Sequence, residues 1–413
     1  MRTSRPLFAL LIGASCALAD AAVPTWPVVE LQARTNLLVN DNGWNLPPGS
    51  SFNSISASIN NDARVSFTVG VVPDAGGSHP GLWTGAHGSG VLVYEGPTDS
   101  GISSEAPINA DGRIVFTMRD TGSMDGLYLY NPVIGSASRI NTLPVLPNSY
   151  SSPDINTAGA IGYQAVYASG RAYASTLGAN SVLHAADAAV SPGSPYTYLY
   201  TPAFDDQRRI VAKVSTSADF TTKQEIRRFG ADGSSTLVLA NQATDAASPW
   251  SGFDNGLAVN ADGVVAVVAR RAADNRRVVL RSDGTTTTLI AEVDPAGTIR
   301  DIDFFAPAIN AAGLVVFRAR DAVGQAIYAG DGEALVRVVG QSSAVQTDLG
   351  AAQIGQHDSS PIFAGKPDVN DRGDIAFVAG LHPSGNNQVE WGSGVFVAYA
   401  AGDAIFADGF ELP

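Results

Sequence analysis

Three of the five histidines in this 413-residue chain, His79, His357 and His382, fall in its longest candidate loops, together with Asp74, Asp358, Glu390, Trp44 and Trp391. Imidazoles and carboxylates are common ligands of transition metals, and a tryptophan beside polar groups can stack on a sugar ring. The spacing matches no metal-ligand pattern, so no metal is assigned. The candidate ligand-binding set is His79, His357, His382, Trp44, Trp391, Asp358 and Glu390. The plainer alternative is that long loops rich in Gly and Ser collect polar residues. Of the other histidines, His184 lies in a predicted strand and His87 in a predicted hairpin turn.

Catalytic signatures are missing. There is no Gly-x-Ser-x-Gly elbow, no His-Glu-x-x-His, no phosphate-cradling Gly-x-x-x-x-Gly-Lys and no dinucleotide fingerprint. No catalytic residue and no cofactor is named, and a non-enzymatic role is favoured. Carboxylate pairs stay open, because a sequence does not show which acids converge. The Asn109-Asp111-Gly112 and Asn260-Asp262-Gly263 copies lack the further carboxylates of a calcium loop and read as turns. Arg270, Arg271, Arg276, Arg277 and Arg281 form a basic cluster that reads as a solvated hairpin on an acidic protein.

The elements that would position these residues come from a repeat. An apolar residue, Asn, two variable residues, Gly and an alternating apolar run recur at anchors Asn60, Asn109, Asn156, Asn260, Asn310 and Asn370. The Gly is present as Gly112, Gly159, Gly263, Gly313 and Gly373; the first copy has Ala63. Anchors 156 and 260 are 104 residues apart, twice the usual spacing, which predicts a degenerate copy midway; Asp205 supplies it, with Arg208 at the Gly position. Asn or Asp can bond the backbone ahead of it and Gly admits positive φ, so each copy predicts a tight turn between antiparallel strands.

The runs that follow, such as Arg113–Met118 and Leu314–Phe317, are nearly continuously apolar, as strands buried on both faces are. Third and fourth strands follow in most units, and four strands in about fifty residues is the size of a propeller blade. The last unit lacks a fourth strand, while Pro27–Ala33 is an unpaired apolar stretch before the first anchor. The expected fold is therefore all-β: a seven-bladed β-propeller of four-stranded blades, its ring closed by the N-terminal strand completing the last blade. The longest loops and links, 70–80, 379–393, 341–362 and 36–52, then belong to blades six, seven and one, and that rim is the expected site.

The iterated phrase, as in Asn109 to Phe116, Asn310 to Phe317 and Asn370 to Phe377, resembles the tandem-repeat class of bacterial exported proteins named for the Asn-x-x-Gly-x-x-x-Phe pattern. The resemblance covers most of the mature chain. It implies an exported, propeller-like protein of unassigned activity and supplies no catalytic residues.

Residues 1–21 read as a signal peptide: Arg2 and Arg5, an apolar stretch from Leu7 to Ala14, and a small-x-small site at Ala17-Leu18-Ala19. A secreted or periplasmic protein is expected, with lipidation of Cys16, the only cysteine, as the minor alternative. Residues 22–402 would form one propeller domain and 403–413 a C-terminal tail that is either a sorting tag or a frayed strand. A net charge of −14 argues against nucleic acid, and no apolar run is long enough for a transmembrane helix. The expected function is a monomeric binding or scaffolding module whose partner is a glycan or another secreted protein. The alternatives are a hydrolase or lyase acting on extracellular or cell-wall glycans, and a purely structural surface protein.

Overall fold

The computed structural model describes residues 23–35, 43–52, 55–72, 77–119, 125–140, 143–357 and 361–401. The leader 1–21 with Cys16, the tail 403–413, Asp74 and Asp358 lie outside the described residues.

Every regular element among the described residues is a strand. Six blades of four antiparallel strands follow in chain order, over residues 50–95, 101–140, 149–186, 198–240, 250–292 and 301–340. In blades one and six the innermost strand is split into two short pieces, Ser50–Ser51 with Ser58–Ile59 and Asp301–Ile302 with Ala308–Ile309. The remaining sheet has six strands. It holds Phe363–Val369, Ile375–Pro383 and Ser393–Ala401, then the N-terminal strand Thr25–Arg34, then a hairpin of Ala344–Thr347 and Gly350–Ile354. Thr25–Arg34 runs antiparallel to Ser393–Ala401, with Leu31 opposite Phe396 and Val29 opposite Ala398.

That hairpin corrects the expectation of a plain link over 341–362. Its first strand meets the N-terminal strand in parallel (Glu30 opposite Gln346), and its second meets an extension of Ile375–Pro383 (Gln353 opposite His382). The loop expected over 379–393 shrinks accordingly to 384–392. Arg34, almost fully buried, fixes the arrangement with a two-point bond to Asp348 at 3.0 and 2.8 Å and a third bond to the Trp391 carbonyl at 3.1 Å. A planar guanidinium meeting a carboxylate this way gains direction as well as charge pairing.

The period of two explains the packing. Val315 and Phe317 join Ala266, Val268 and Val279 of the preceding blade, whereas Leu314 and Val316 join Phe363, Phe377 and Phe396 on the other side. Successive residues of one strand thus serve two neighbouring sheets, which is why these runs carry no polar face. Likewise Ile59, Val65, Phe67 and Trp83 of blade one pack on Ala376, Val378, Val395 and Val397 of the six-stranded sheet. The ring at the seventh position after the anchor is buried and stacks on one from the third strand: Phe67 on Trp83 at 4.7 Å, Phe116 on Tyr128 at 5.5 Å, and Phe377 on Phe396 at 5.4 Å. Burying each such side chain contributes about 1.5–3 kcal/mol.

Candidate functional site

The anchors do more than turn the chain. In all seven copies the anchor's side-chain oxygen accepts the backbone N–H four residues on, at 2.8–3.0 Å: Arg64, Arg113, Ala160, Arg209, Val264, Leu314 and Asp374 donate. The amide nitrogen then reaches sideways to the next anchor's carbonyl. Asn60 donates to Asn109 (3.1 Å), Asn109 to Asn156 (3.3 Å), Asn156 to Asp205 (3.3 Å), Asn260 to Asn310 (3.1 Å), Asn310 to Asn370 (3.2 Å) and Asn370 back to Asn60 (2.9 Å). Asparagine is needed because one side chain must both accept and donate. Asp205 has no N–H to give, so no such bond runs from it to Asn260; its second oxygen takes Arg209 Nε at 2.7 Å instead. The fourth turn residue has positive φ in every copy, including Ala63 at 55° and Arg208 at 59°.

These anchors surround a cavity of ≈ 540 Å³ lined by the innermost strand of every sheet. The strand facing it has a free edge, and an edge tolerates a residue with no N–H. Pro107, Pro153, Pro202, Pro307 and Pro367 all stand two or three residues before an anchor and line the cavity. The same strands slip register in their middle, between Ser151 and Asp154, Leu199 and Pro202, Phe253 and Leu257, and Ala364 and Asp368. Carbonyls freed there are taken up by the residue eight after the previous anchor. Thr68 donates to Ser103 O (2.8 Å), Gln164 to Leu199 O (3.0 Å), Lys213 to Phe253 O (2.8 Å) and Arg318 to Gly365 O (2.6 Å). Burial pushes the Lys213 ammonium down to about 8. Its place in this series makes it a tie between blades.

Two and four residues before each anchor, the lining divides into two arcs. From the six-stranded sheet through blade three it carries Lys366, Asp368, Ser56, Ser58, Glu105, Pro107, Ser152 and Asp154, polar at all but Pro107; from blade four to blade six it carries Thr201, Ala203, Gly256, Ala258, Ala306 and Ala308. On the polar arc Lys366 Nζ stands 3.6 Å from Glu105 Oε2, spanning blade one, whose small serines leave it room. Ser58 Oγ donates to Asp368 Oδ2 at 2.7 Å, and the Lys366 backbone N–H to Ser56 Oγ at 3.1 Å. Burial raises Asp154 to about 6, although nearby Lys366 pulls the other way. Asp368 is also raised by burial, while Glu105, foremost, holds the Lys366 ammonium above its ordinary range. The apolar arc adds two aromatic rings, Phe304 and Phe305, of which Phe304 is 76% exposed. Arg277 and Arg318 lie against these rings at 4.4 and 4.2 Å.

The residues expected to bind a ligand do not assemble into one group. His357 Nδ1 and Glu390 Oε1 meet at 2.8 Å. His79 lies 3.5 Å from Glu95 instead. His382 is buried, with Nδ1 2.9 Å from the Pro383 carbonyl. Trp44 and Trp391 pack against the apolar core of the six-stranded sheet. Among the described residues no group of three or more His, Cys, Asp or Glu is arranged to hold a metal. The blade-five arginines are matched locally: Arg271 and Arg276 with Asp274 and Glu292, Arg277 with Asp254. Sequence reasoning missed Glu105, Asp154, Lys366 and Asp368. The signal was a charge within two residues of a proline just ahead of an anchor, visible once the seven pre-anchor segments are laid side by side.

No curated protein matches the sequence. Among solved structures the chain is similar to a puromycin-hydrolyzing peptidase of Mycobacterium tuberculosis (TM-score 0.50, 12% identity, 87% of this chain and 52% of that one). It is also similar to TolB of Acinetobacter baumannii (TM-score 0.44, 14% identity, 67% and 63%) and to an oligogalacturonate lyase in complex with manganese (TM-score 0.46, 12% identity, 84% and 99%). The chain thus spans less than two thirds of the length of the first two. At these identities the likeness is one of fold, the β-propeller. The model of a family of unknown function, DUF7453, matches residues 155–409, more than half of the chain, and the chain belongs to that family.

Proposed function

We propose that this DUF7453 protein is an exported, seven-bladed propeller that binds a small polyhydroxylated ligand, a glycan or glycan fragment, in its central cavity. Seven blades are supported by the six-stranded sheet, which supplies a seventh inner strand, and by the Asn370 to Asn60 bond that returns the anchor series to its start. Export is supported by the basic, apolar and small-residue order of residues 1–21 and by the likeness of the repeated phrase to that of exported tandem-repeat proteins.

The observation that carries the binding reading is the two-sided lining. A sugar ring has apolar C–H faces and a polar rim; Phe304 and Phe305 offer surface to the first, and the serines and acids of the opposite arc offer bonds to the second. Titration calorimetry of the purified chain with neutral, acidic and amino oligosaccharides tests it. Binding that weakens in both Phe304→Ala and Ser58→Ala is the expected result; binding to none of the three classes overturns it.

A second reading, a glycan hydrolase or lyase, is favoured by one feature: Asp154, raised to about 6, is poised to exchange a proton near neutral pH. New reducing or unsaturated ends released from the same oligosaccharides, and lost in Asp154→Asn, would establish it.

A further inference from the structure

We infer that the ligand of the central cavity carries a protonated amine, as an amino sugar does. This rests on the cavity being the binding site and names the class of ligand it takes.

Charge is the argument. Glu105, Asp154 and Asp368 gather around one ammonium, Lys366, so the group is two positive charges short of neutral when all three acids are ionised. Asp206 and Asp371 add negative charge at the anchor end, and among the described residues Lys366 is the only basic side chain lining the cavity. Asp206 and Asp371 already accept backbone N–H groups, from Thr157 at 3.0 Å and from Ala311 at 2.9 Å. Asp154 takes backbone N–H groups from Ile155, at 2.9 Å, and from Phe204, and no side-chain cation bonds to it directly among the described residues. A second ammonium beside Lys366 offsets the remaining charge in a region where burial makes uncompensated charge costly. An acidic sugar meets net repulsion there, and a neutral one leaves the imbalance in place. The exposed Phe304 ring across the cavity suits the apolar face of the sugar ring that carries the amine.

The same charges set the pH response. A cation favours ionised Asp154, whose carboxyl sits at about 6, so affinity is held above that pH and falls as the pH drops through it. The charged side chains acting on Asp154 are Lys366 and Asp368, and among the described residues no histidine lines the cavity to mimic the effect.

Glucosamine oligomers and their N-acetylated counterparts share a ring and differ in charge. Calorimetry at about pH 7 should give at least about tenfold tighter binding of the free amine, falling several-fold at about pH 5. Asp154→Asn should weaken that binding several-fold more than it weakens binding of the N-acetyl form, and should flatten its pH response; its melting temperature shows that the chain is folded. Equal binding of both forms, or saturation of the cavity by calcium chloride alone, overturns the amine and leaves the cavity as the site. Binding of neither form, nor of acidic or neutral sugars, removes the site itself.

Discussion

The two arcs of the cavity are built from the same repeat and have opposite chemistry. Both present an innermost strand ending in an anchor whose side-chain oxygen accepts the N–H four residues on. Yet the positions two and four before the anchor read Lys366 and Asp368 on one side and Ala306 and Ala308 on the other. The anchor is fixed because it must accept and donate at once, in a buried place where an unmet polar group costs about 1–3 kcal/mol. The positions before it face the cavity; on the polar side they also bond between sheets, as Ser58 does to Asp368, and on the apolar side they carry mostly alanine and glycine. The asymmetry is what a two-sided ligand of the kind proposed would require of the wall.

Breaking an anchor should therefore hurt either arc alike. Asn370→Ala on the polar side and Asn260→Ala on the apolar side each strand a backbone N–H and a neighbouring carbonyl, since Asn370 serves Asp374 and Asn60, and Asn260 serves Val264 and Asn310. Each should lose about 2–4 kcal/mol in urea unfolding at neutral pH. A cost confined to one of them would mean that the arcs differ in their framework as well as their lining.

The next test separates the arcs. Asp154 titrates at about 6 in the folded chain against 3.8 as its ordinary value, so the fold prefers the protonated acid. Its stabilising contribution is present below about pH 4 and is lost as the pH rises through about 6. Asp154→Asn should accordingly stabilise the protein by about 1–3 kcal/mol at about pH 7, with the gain shrinking toward about pH 5. Thermal melts at both pH values check the sign. A loss at pH 7 would show that the carboxylate is needed by the fold rather than tolerated for a ligand.

Much of the framework was legible in the sequence because the repeat enforces it. Asp205 and Arg208 could be placed from spacing alone, since a ring of equal units leaves no room for a unit of double length. The channel acids were not, because Glu105 and Lys366 are separated by most of the chain and meet only through the geometry of closure. The hairpin at 344–354 escaped because Ala344–Thr347 and Gly350–Ile354 are only four and five residues long and are held by the sheet they join. The expected histidine rim comes together in part: His357 meets Glu390, whereas His79 pairs with Glu95 and His382, on strand Ile375–Pro383, turns to its neighbour's carbonyl.

Arg208 offers a smaller test where the apolar arc begins. It holds φ at 59°, where glycine stands in five other copies, and two of its guanidinium nitrogens are buried without partners. Arg208→Gly should stabilise by about 0.5–1 kcal/mol, because glycine adopts this conformation without the strain of a side chain. A destabilised variant would mean that the arginine is held by contacts worth more than the backbone strain.

The smallest effect on stability is expected where the arcs differ most. Phe304 is a large apolar ring left mostly in water, and a ring so exposed contributes little to folding. Its contact with Arg277 is backed by that arginine's bonds to Asp254 and to the Ile302 carbonyl, so the guanidinium keeps its place without the ring. Phe304→Ala should therefore shift unfolding free energy by less than about 0.5 kcal/mol. Surface loss with no stability loss is the signature of a residue kept for contact with something else, whereas a drop above about 1 kcal/mol would make the apolar arc a packing feature and leave the polar arc to bind alone.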